Sequence, residues 1–175
     1  MDYAIGDVQG CFKTLVALLK KIKFNPDADR LFFLGDVVNR GSNSLEVLRL
    51  IYSNPDCMQM VLGNHDFHLL VCALTDRQPN KKDTFQDILN APDKFQLLDY
   101  LLERPLAMKY ENALLVHAGA PPQWGITSVL ENSILVEENL QSENASNFLS
   151  KMYGNNPHTW NESLSNEEKS RYTIN

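Results

Sequence analysis

Asp7, Asp36, Asn64 and His117 are residues whose types suit a divalent metal ion, and each stands in a short glycine-containing segment. The segments are Gly6-Asp7-Val8-Gln9-Gly10, Gly35-Asp36-Val37-Val38-Asn39-Arg40-Gly41, Gly63-Asn64-His65-Asp66 and Val116-His117-Ala118-Gly119. Two carboxylates, an amide oxygen and an imidazole, with an Arg nearby, are the donor set of a dinuclear centre that cleaves phosphate esters or anhydrides. Asp7 and Asp36 would repel one another at close range unless cations lay between them. Taken singly, each Asp reads as a cap on the turn or helix that follows it. Taken together, beside glycines that permit close backbone approach, they read as ligands. Asp36 is the expected bridge, because one carboxylate can span two metals about 3.5–4 Å apart. Asn64 would give an amide oxygen to the second metal and His117 a ring nitrogen. His65 has the type for a general acid at a leaving oxygen, with Asp66 beside it to orient it and hold it charged. Arg40 would bind phosphate oxygens bidentately. His68 is read as structural, His158 receives no role, and Trp124 and Trp160 are read as packing residues.

The elements that must position these residues follow from the apolar pattern. Tyr3 to Ile5 is a short apolar run ending at Gly6, and Leu15, Leu18, Leu19 and Ile22 then fall at helical spacing before Asn25-Pro26-Asp27. Leu31 to Leu34 is continuously apolar, as in a strand covered on both faces. Leu45, Leu48 and Ile51 mark a second helix, Met58 to Leu62 a third strand, and Phe67, Leu70, Val71 and Leu74 a third helix. This β-α-β-α-β-α order predicts a mainly parallel sheet, whose ligands gather at the carboxyl ends of the strands. The first three chemical segments stand at those ends. Asp83 to Glu103 is expected to form one or two helices projecting from the core. Leu106 to Tyr110 and Leu114 to His117 are expected to pair across Glu111-Asn112, and Thr127 to Met152 to be helical. The stretch from Asn155 onward has few apolar anchors and ends as Tyr172-Thr173-Ile174 begins to look ordered.

With 175 residues, 43% of them hydrophobic, the chain is expected to build one core and one domain over residues 1–175. A net charge of −6 argues against a nucleic-acid or membrane partner, so a polyanionic substrate would have to be met locally by metal ions and a few basic side chains. No apolar run reaches the roughly 20 residues of a membrane span. The start lacks a signal-peptide pattern, and Cys11, Cys57 and Cys72 lack metal-ligand spacing. A cytoplasmic protein with reduced thiols is the expectation.

The four segments in this order resemble the metallophosphoesterases of the phosphoprotein-phosphatase type, and within them the bacterial symmetrical diadenosine tetraphosphatases. Asp66, Asn39, the stretch from His117 to Trp124, and Met152-Tyr153-Gly154 followed by Trp160 carry the finer match. The resemblance implies a calcineurin-like α/β/β/α sandwich and two divalent ions, Mn2+, Co2+ or Mg2+. It implies Asp7 and Asp36 on one metal, Asp36, Asn64 and His117 on the other, His65 paired with Asp66, and Arg40 on phosphate. It also implies hydrolysis of P1,P4-bis(5′-adenosyl) tetraphosphate to two ADP. Gln9 departs from the pattern by standing where the family has a His ligand, and the family's late Gly-His motif has no counterpart in these residues. The second sheet is therefore expected to be incomplete and the chain shortened at its C-terminal side. A catalytically impaired remnant, or a Ser/Thr protein phosphatase of the same fold, are the competing expectations.

Overall fold

Leu31, Phe32 and Phe33 follow one another in the sequence and are buried alike, at 0%, 4% and 1% exposure. Burial of successive residues requires cover on both faces of a strand. The computed structural model, which describes residues 1–174, supplies it. These residues lie in β2 (Arg30–Leu34), the middle strand of a parallel sheet between β1 (Asp2–Ile5) and β3 (Met58–Val61). Ile5 is in register with Phe33, and Leu34 with Val61, so the three strands end side by side. Leu31 and Phe33 join the core formed with the helices, whereas Phe32 stacks its ring 4.4 Å from that of Tyr110.

The crossovers of the parallel sheet are α1 (Phe12–Lys21) and α2 (Ser44–Tyr52), and α3 (Asn64–Leu74) follows β3. In α1 only Leu15 is fully buried, and Lys20 and Lys21 close the last turn, where positive charge favours the helix dipole. In α2 the residues Val47, Leu48 and Ile51 form a fully buried stripe at helical spacing.

The segment expected to project from the core does the opposite. It forms α4 (Gln86–Leu89) and α5 (Lys94–Leu102), and Phe85, Ile88, Leu97 and Leu101 are each 0% exposed within the main core. Each such side chain contributes about 1.5–3 kcal/mol on leaving water, and that sum overrides the polar residues on the outer face. Arg49 of α2 also grips Asp93, at the start of α5, through two hydrogen bonds of 2.9 and 2.6 Å.

β4 (Ala107–Tyr110) and β5 (Ala113–Val116) pair antiparallel, with Glu111 at φ 49° in the turn. This hairpin is the whole of the second sheet among the described residues. Leu62 N–H donates to the Pro105 carbonyl at 2.8 Å, tying the end of β3 to the start of the hairpin. On the hairpin's other side lies α6 (Ile126–Leu140), whose Ser133 hydroxyl accepts from Ala107 N–H at 3.0 Å. Helix, sheet, hairpin and helix thus stack in the expected layer order. α7 (Ala145–Ser150) packs on α3, and α8 (Asn166–Ile174) packs on α6. The rings of Trp124 and Trp160 meet edge-on at 4.7 Å beside Tyr172, joining the loop after β5 to α8 as packing residues.

Candidate metal centre

The four strand ends β1, β2, β3 and β5 deliver Asp7, Asp36, Asn64 and His117 to one place. One ligand atom each of Asp7, Asp36 and His117 lies within 4.8 Å of the others. His117 Nε2 is 3.5 Å from Asp36 Oδ1 and 3.2 Å from Asn64 Oδ1. The opposite ring nitrogen, Nδ1, is 2.7 Å from the Leu34 carbonyl, which can only accept. Nδ1 therefore carries the ring hydrogen, and Nε2 turns its lone pair towards Asp36 and Asn64. Two carboxylates, an amide oxygen and an imidazole lone pair converging in this way suit a divalent cation. Asp7 is exposed and Asp36 is buried at 3% exposure, so the centre has one open side and one protein side.

The backbone that presents these ligands is bent into the left-handed region at Asp7 (φ 32°), Gln9 (φ 46°), Asp36 (φ 51°), Asn39 (φ 75°) and Arg40 (φ 60°). Such conformations cost on the order of 1–3 kcal/mol each and persist where surrounding bonds hold them. Gln9 N–H donates to the Asp36 carbonyl at 2.8 Å, and Gly41 N–H to the Gln9 carbonyl at 2.7 Å, so the first two ligand loops lock each other. Gly63 is required by contact: a Cβ there would lie 2.3 Å from Asp36 Oδ1 and 2.4 Å from Asp36 N. Gly35 is required by conformation, at φ +84°, and by contact with the Gly63 backbone.

Asp66 does not pair with His65, and that expectation is corrected. The two open α3 as neighbours, and adjacent helical side chains point about 100° apart. Asp66 turns inward, at 0% exposure, and its carboxylate accepts from Gly63 N–H at 2.9 Å, Asp36 N–H at 2.8 Å and Val37 N–H at 3.1 Å. Burial pushes this carboxyl up to about 7, against the opposing pull of the Gly63, Asp36 and Val37 amides. Its contact is thus with the backbone of the Asp36 and Gly63 loops, whose geometry it holds.

His65 faces the centre. Its backbone N–H donates to Asp36 Oδ1 at 2.8 Å, and its Nε2 lies 3.8 Å from Asp36 Oδ2. The partner of Nδ1 is Asn39, whose Nδ2 is 3.2 Å away. Burial pushes the imidazole below its usual range, opposed by the Asp36 carboxylate and assisted by the Arg40 charge. Arg40 itself is exposed and lines, with His65, Lys81, Lys82 and Tyr153, a cavity of about 660 Å3. A second cavity, of about 700 Å3, also borders Asn64 and is lined by His117, Trp124, His158 and Tyr172 among others.

Residues that sequence reasoning missed stand behind His65. Asn39 and Asp83 are 44 positions apart and meet at 3.0 Å, and no local pattern announces it. Lys81 and Lys82 read as ordinary surface charge until their loop is seen against the cavity. His68 is held between Asp83, 2.7 Å from its Nε2, and the Tyr153 hydroxyl. Asp83 is brought to about 2: burial works to raise it, and the bonds from Asn39, His68 and the Asn80 N–H outweigh that.

Comparison with known proteins agrees with this architecture. A family model described as calcineurin-like phosphoesterase matches residues 3–172. The chain is 44% identical over 173 residues to "Bis(5'-nucleosyl)-tetraphosphatase, symmetrical" of Neisseria meningitidis, covering 99% of this chain and 63% of that protein. The proteins of the same name from Paracidovorax citrulli and Vibrio cholerae are 42% and 41% identical, with 63% and 65% of their lengths covered. The chain thus spans a little under two thirds of these relatives. Among solved structures, one titled a putative diadenosine tetraphosphatase is 29% identical with a TM-score of 0.56, over 72% of this chain and 53% of that one. A cold-active protein tyrosine phosphatase, 23% identical with a TM-score of 0.61 over 95% of this chain and 58% of its own, shares the fold. With that family model matching residues 3–172, nearly the whole of this chain, the chain belongs to the calcineurin-like phosphoesterases.

Proposed function

We propose that this chain carries the active centre of a hydrolase that splits P1,P4-bis(5′-adenosyl) tetraphosphate symmetrically into two ADP. The observation that carries the reading is the convergence of Asp7, Asp36, Asn64 and His117 beside His65 and Arg40, in a chain over 40% identical to relatives named for that reaction. Asp7 and Asp36 would hold one divalent ion, and Asp36, Asn64 and His117 a second, with Mn2+, Co2+ or Mg2+ suited to these oxygen and nitrogen donors. Bound ions would supply Lewis-acid polarisation of the phosphate and activation of water.

The chain's own residues account for the remaining tasks. Arg40 binds phosphate oxygens through its planar guanidinium, and Lys81 and Lys82 add positive charge along the same cavity. His65 presents a ring N–H to the leaving phosphate oxygen. Asp66 holds the Asp36 and Gly63 backbones, so that the ligand loops keep their spacing as substrate enters. The two cavities that border Asn64 offer room for the two nucleoside arms of a substrate cut at its middle. No helix among the described residues is long and apolar enough to cross a membrane. We place the protein in the cytoplasm, with its three cysteines as free thiols.

The test is hydrolysis of the dinucleotide in Mn2+, followed by nucleotide chromatography. ADP as the sole nucleotide product, lost in His65→Ala, agrees with the proposal. AMP with ATP, or no turnover with any of the three metals, contradicts it for this chain.

A further inference from the structure

The hydrogen bonds of Asn39 determine which ring nitrogen of His65 bears its hydrogen. Asn39 is completely buried, at 0% exposure. Its Oδ1 lies 2.8 Å from Arg40 N and 3.0 Å from Thr84 N, and backbone N–H groups can only donate. The amide oxygen is therefore on that side, and the NH2 group is on the other. That NH2 group faces two atoms, Asp83 Oδ1 at 3.0 Å and His65 Nδ1 at 3.2 Å. An amide nitrogen with two hydrogens gives one to each. His65 Nδ1 must then accept, which leaves the ring hydrogen on Nε2. Nε2 is 3.8 Å from Asp36 Oδ2, too far to be consumed by a hydrogen bond, so this N–H remains free for a ligand.

Asp83, together with those two backbone donors, prevents the amide from turning over. With Asn39 reversed, its carbonyl oxygen would face the Asp83 carboxylate while its NH2 faced two N–H donors. Both contacts would become repulsive in a buried site. Asp83 is itself anchored by His68 Nε2 at 2.7 Å and Asn80 N–H at 2.6 Å, and its side chain is 5% exposed. A rigid chain thus runs from Asp83 through Asn39 to His65.

We infer that Asp83 is a positioning residue for the reactive centre: through Asn39 it fixes His65 in the Nε2–H tautomer, with that hydrogen directed to the substrate side. The assignment rests on the proposed function only in treating that side as the place of the leaving oxygen. It departs from a role for Asp66 at His65 and gives the task to a carboxylate from the loop before α4.

Nitrogen-15 NMR of the metal-free chain with labelled histidines tests this without turnover, the His65 signals being identified by their loss in H65Q. A protonated Nε2 and an unprotonated Nδ1 are expected. A hydrogen on Nδ1, or on both nitrogens, overturns the inference. In Asp83→Ala the His65 signals are expected to shift towards a mixture of tautomers, whereas Asp83→Asn, which keeps an acceptor for Asn39, retains the Nε2–H form. An unchanged spectrum in Asp83→Ala overturns the role of Asp83. Against the dinucleotide, Asp83→Ala should lower kcat by roughly tenfold to a hundredfold with KM little changed, and Asp83→Asn should recover most of it. The ring spectrum decides the tautomer even if the chain proves inactive, so failure of the hydrolase reading is seen separately.

Discussion

The backbone N–H of Asp36 donates to the buried carboxylate of Asp66 at 2.8 Å, joining the loop after β2 to the first turn of α3. The same carboxylate accepts from Gly63 and Val37, so one side chain satisfies three buried donors around the central ligand. Asp66 thus sets the spacing of the loops that would hold a metal without itself facing the proposed centre.

Asp66→Ala leaves those three N–H groups without a partner. Each buried unsatisfied group costs about 1–3 kcal/mol, so a loss of at least about 3 kcal/mol in urea unfolding is expected. Asp66→Asn should also destabilise, because its NH2 group would face a donor. A change below about 1 kcal/mol in either variant would contradict the clamp.

Gly63→Ala tests the close approach of the β2 and β3 loops. Its Cβ would meet Asp36 Oδ1 at 2.3 Å and backbone N at 2.4 Å, and neither atom can swing aside without moving a ligand. The expected result is at least a tenfold loss of Mn2+ affinity by calorimetry, of the size seen when groups supporting a ligand are disturbed. Gly119→Ala, where a Cβ meets nothing within 4 Å, is the control and should bind as the unsubstituted chain does. Equal affinity in both variants would count against the packing argument.

Asp83 links stability to acid. Its folded carboxyl is held at about 2, below the ordinary 3.8. A group depressed on folding stabilises the fold above its unfolded pKa and loses that contribution as pH falls through the folded value. The advantage of the unsubstituted chain over Asp83→Asn should be about 2 kcal/mol near neutrality and should shrink as pH falls from about 4 towards about 2. A gap that stays constant with pH would show that the charge on Asp83 contributes nothing.

Much of this was legible in the amino-acid order, and the boundary has physical causes. The continuous run Leu31 to Leu34 marks a strand covered on both faces, and the Gly-Asp after it marks where that strand gives way to the loop that carries Asp36. Asn64 and His117 follow the same logic at the ends of β3 and β5. Helix geometry defeated the pairing of His65 with Asp66, since neighbours in sequence diverge on a helix surface. The inward packing of α5 was hidden because the apolar partners of Leu97, Leu98 and Leu101 lie far away in sequence, on α2 and α3. The link from Asp83 to His65 needs two loops brought together by the whole fold, and no window of sequence contains it.

Asp7, Asp36, Asn64 and His117 are proposed to form one divalent-metal centre, and calorimetric titration of the chain with Mn2+ addresses that without requiring turnover. Saturable binding is expected in the unsubstituted chain, with Asp36→Asn and His117→Ala each weakening it by at least about tenfold, since both supply ligand atoms to the same point. Binding heats that are the same in all three proteins would contradict the account.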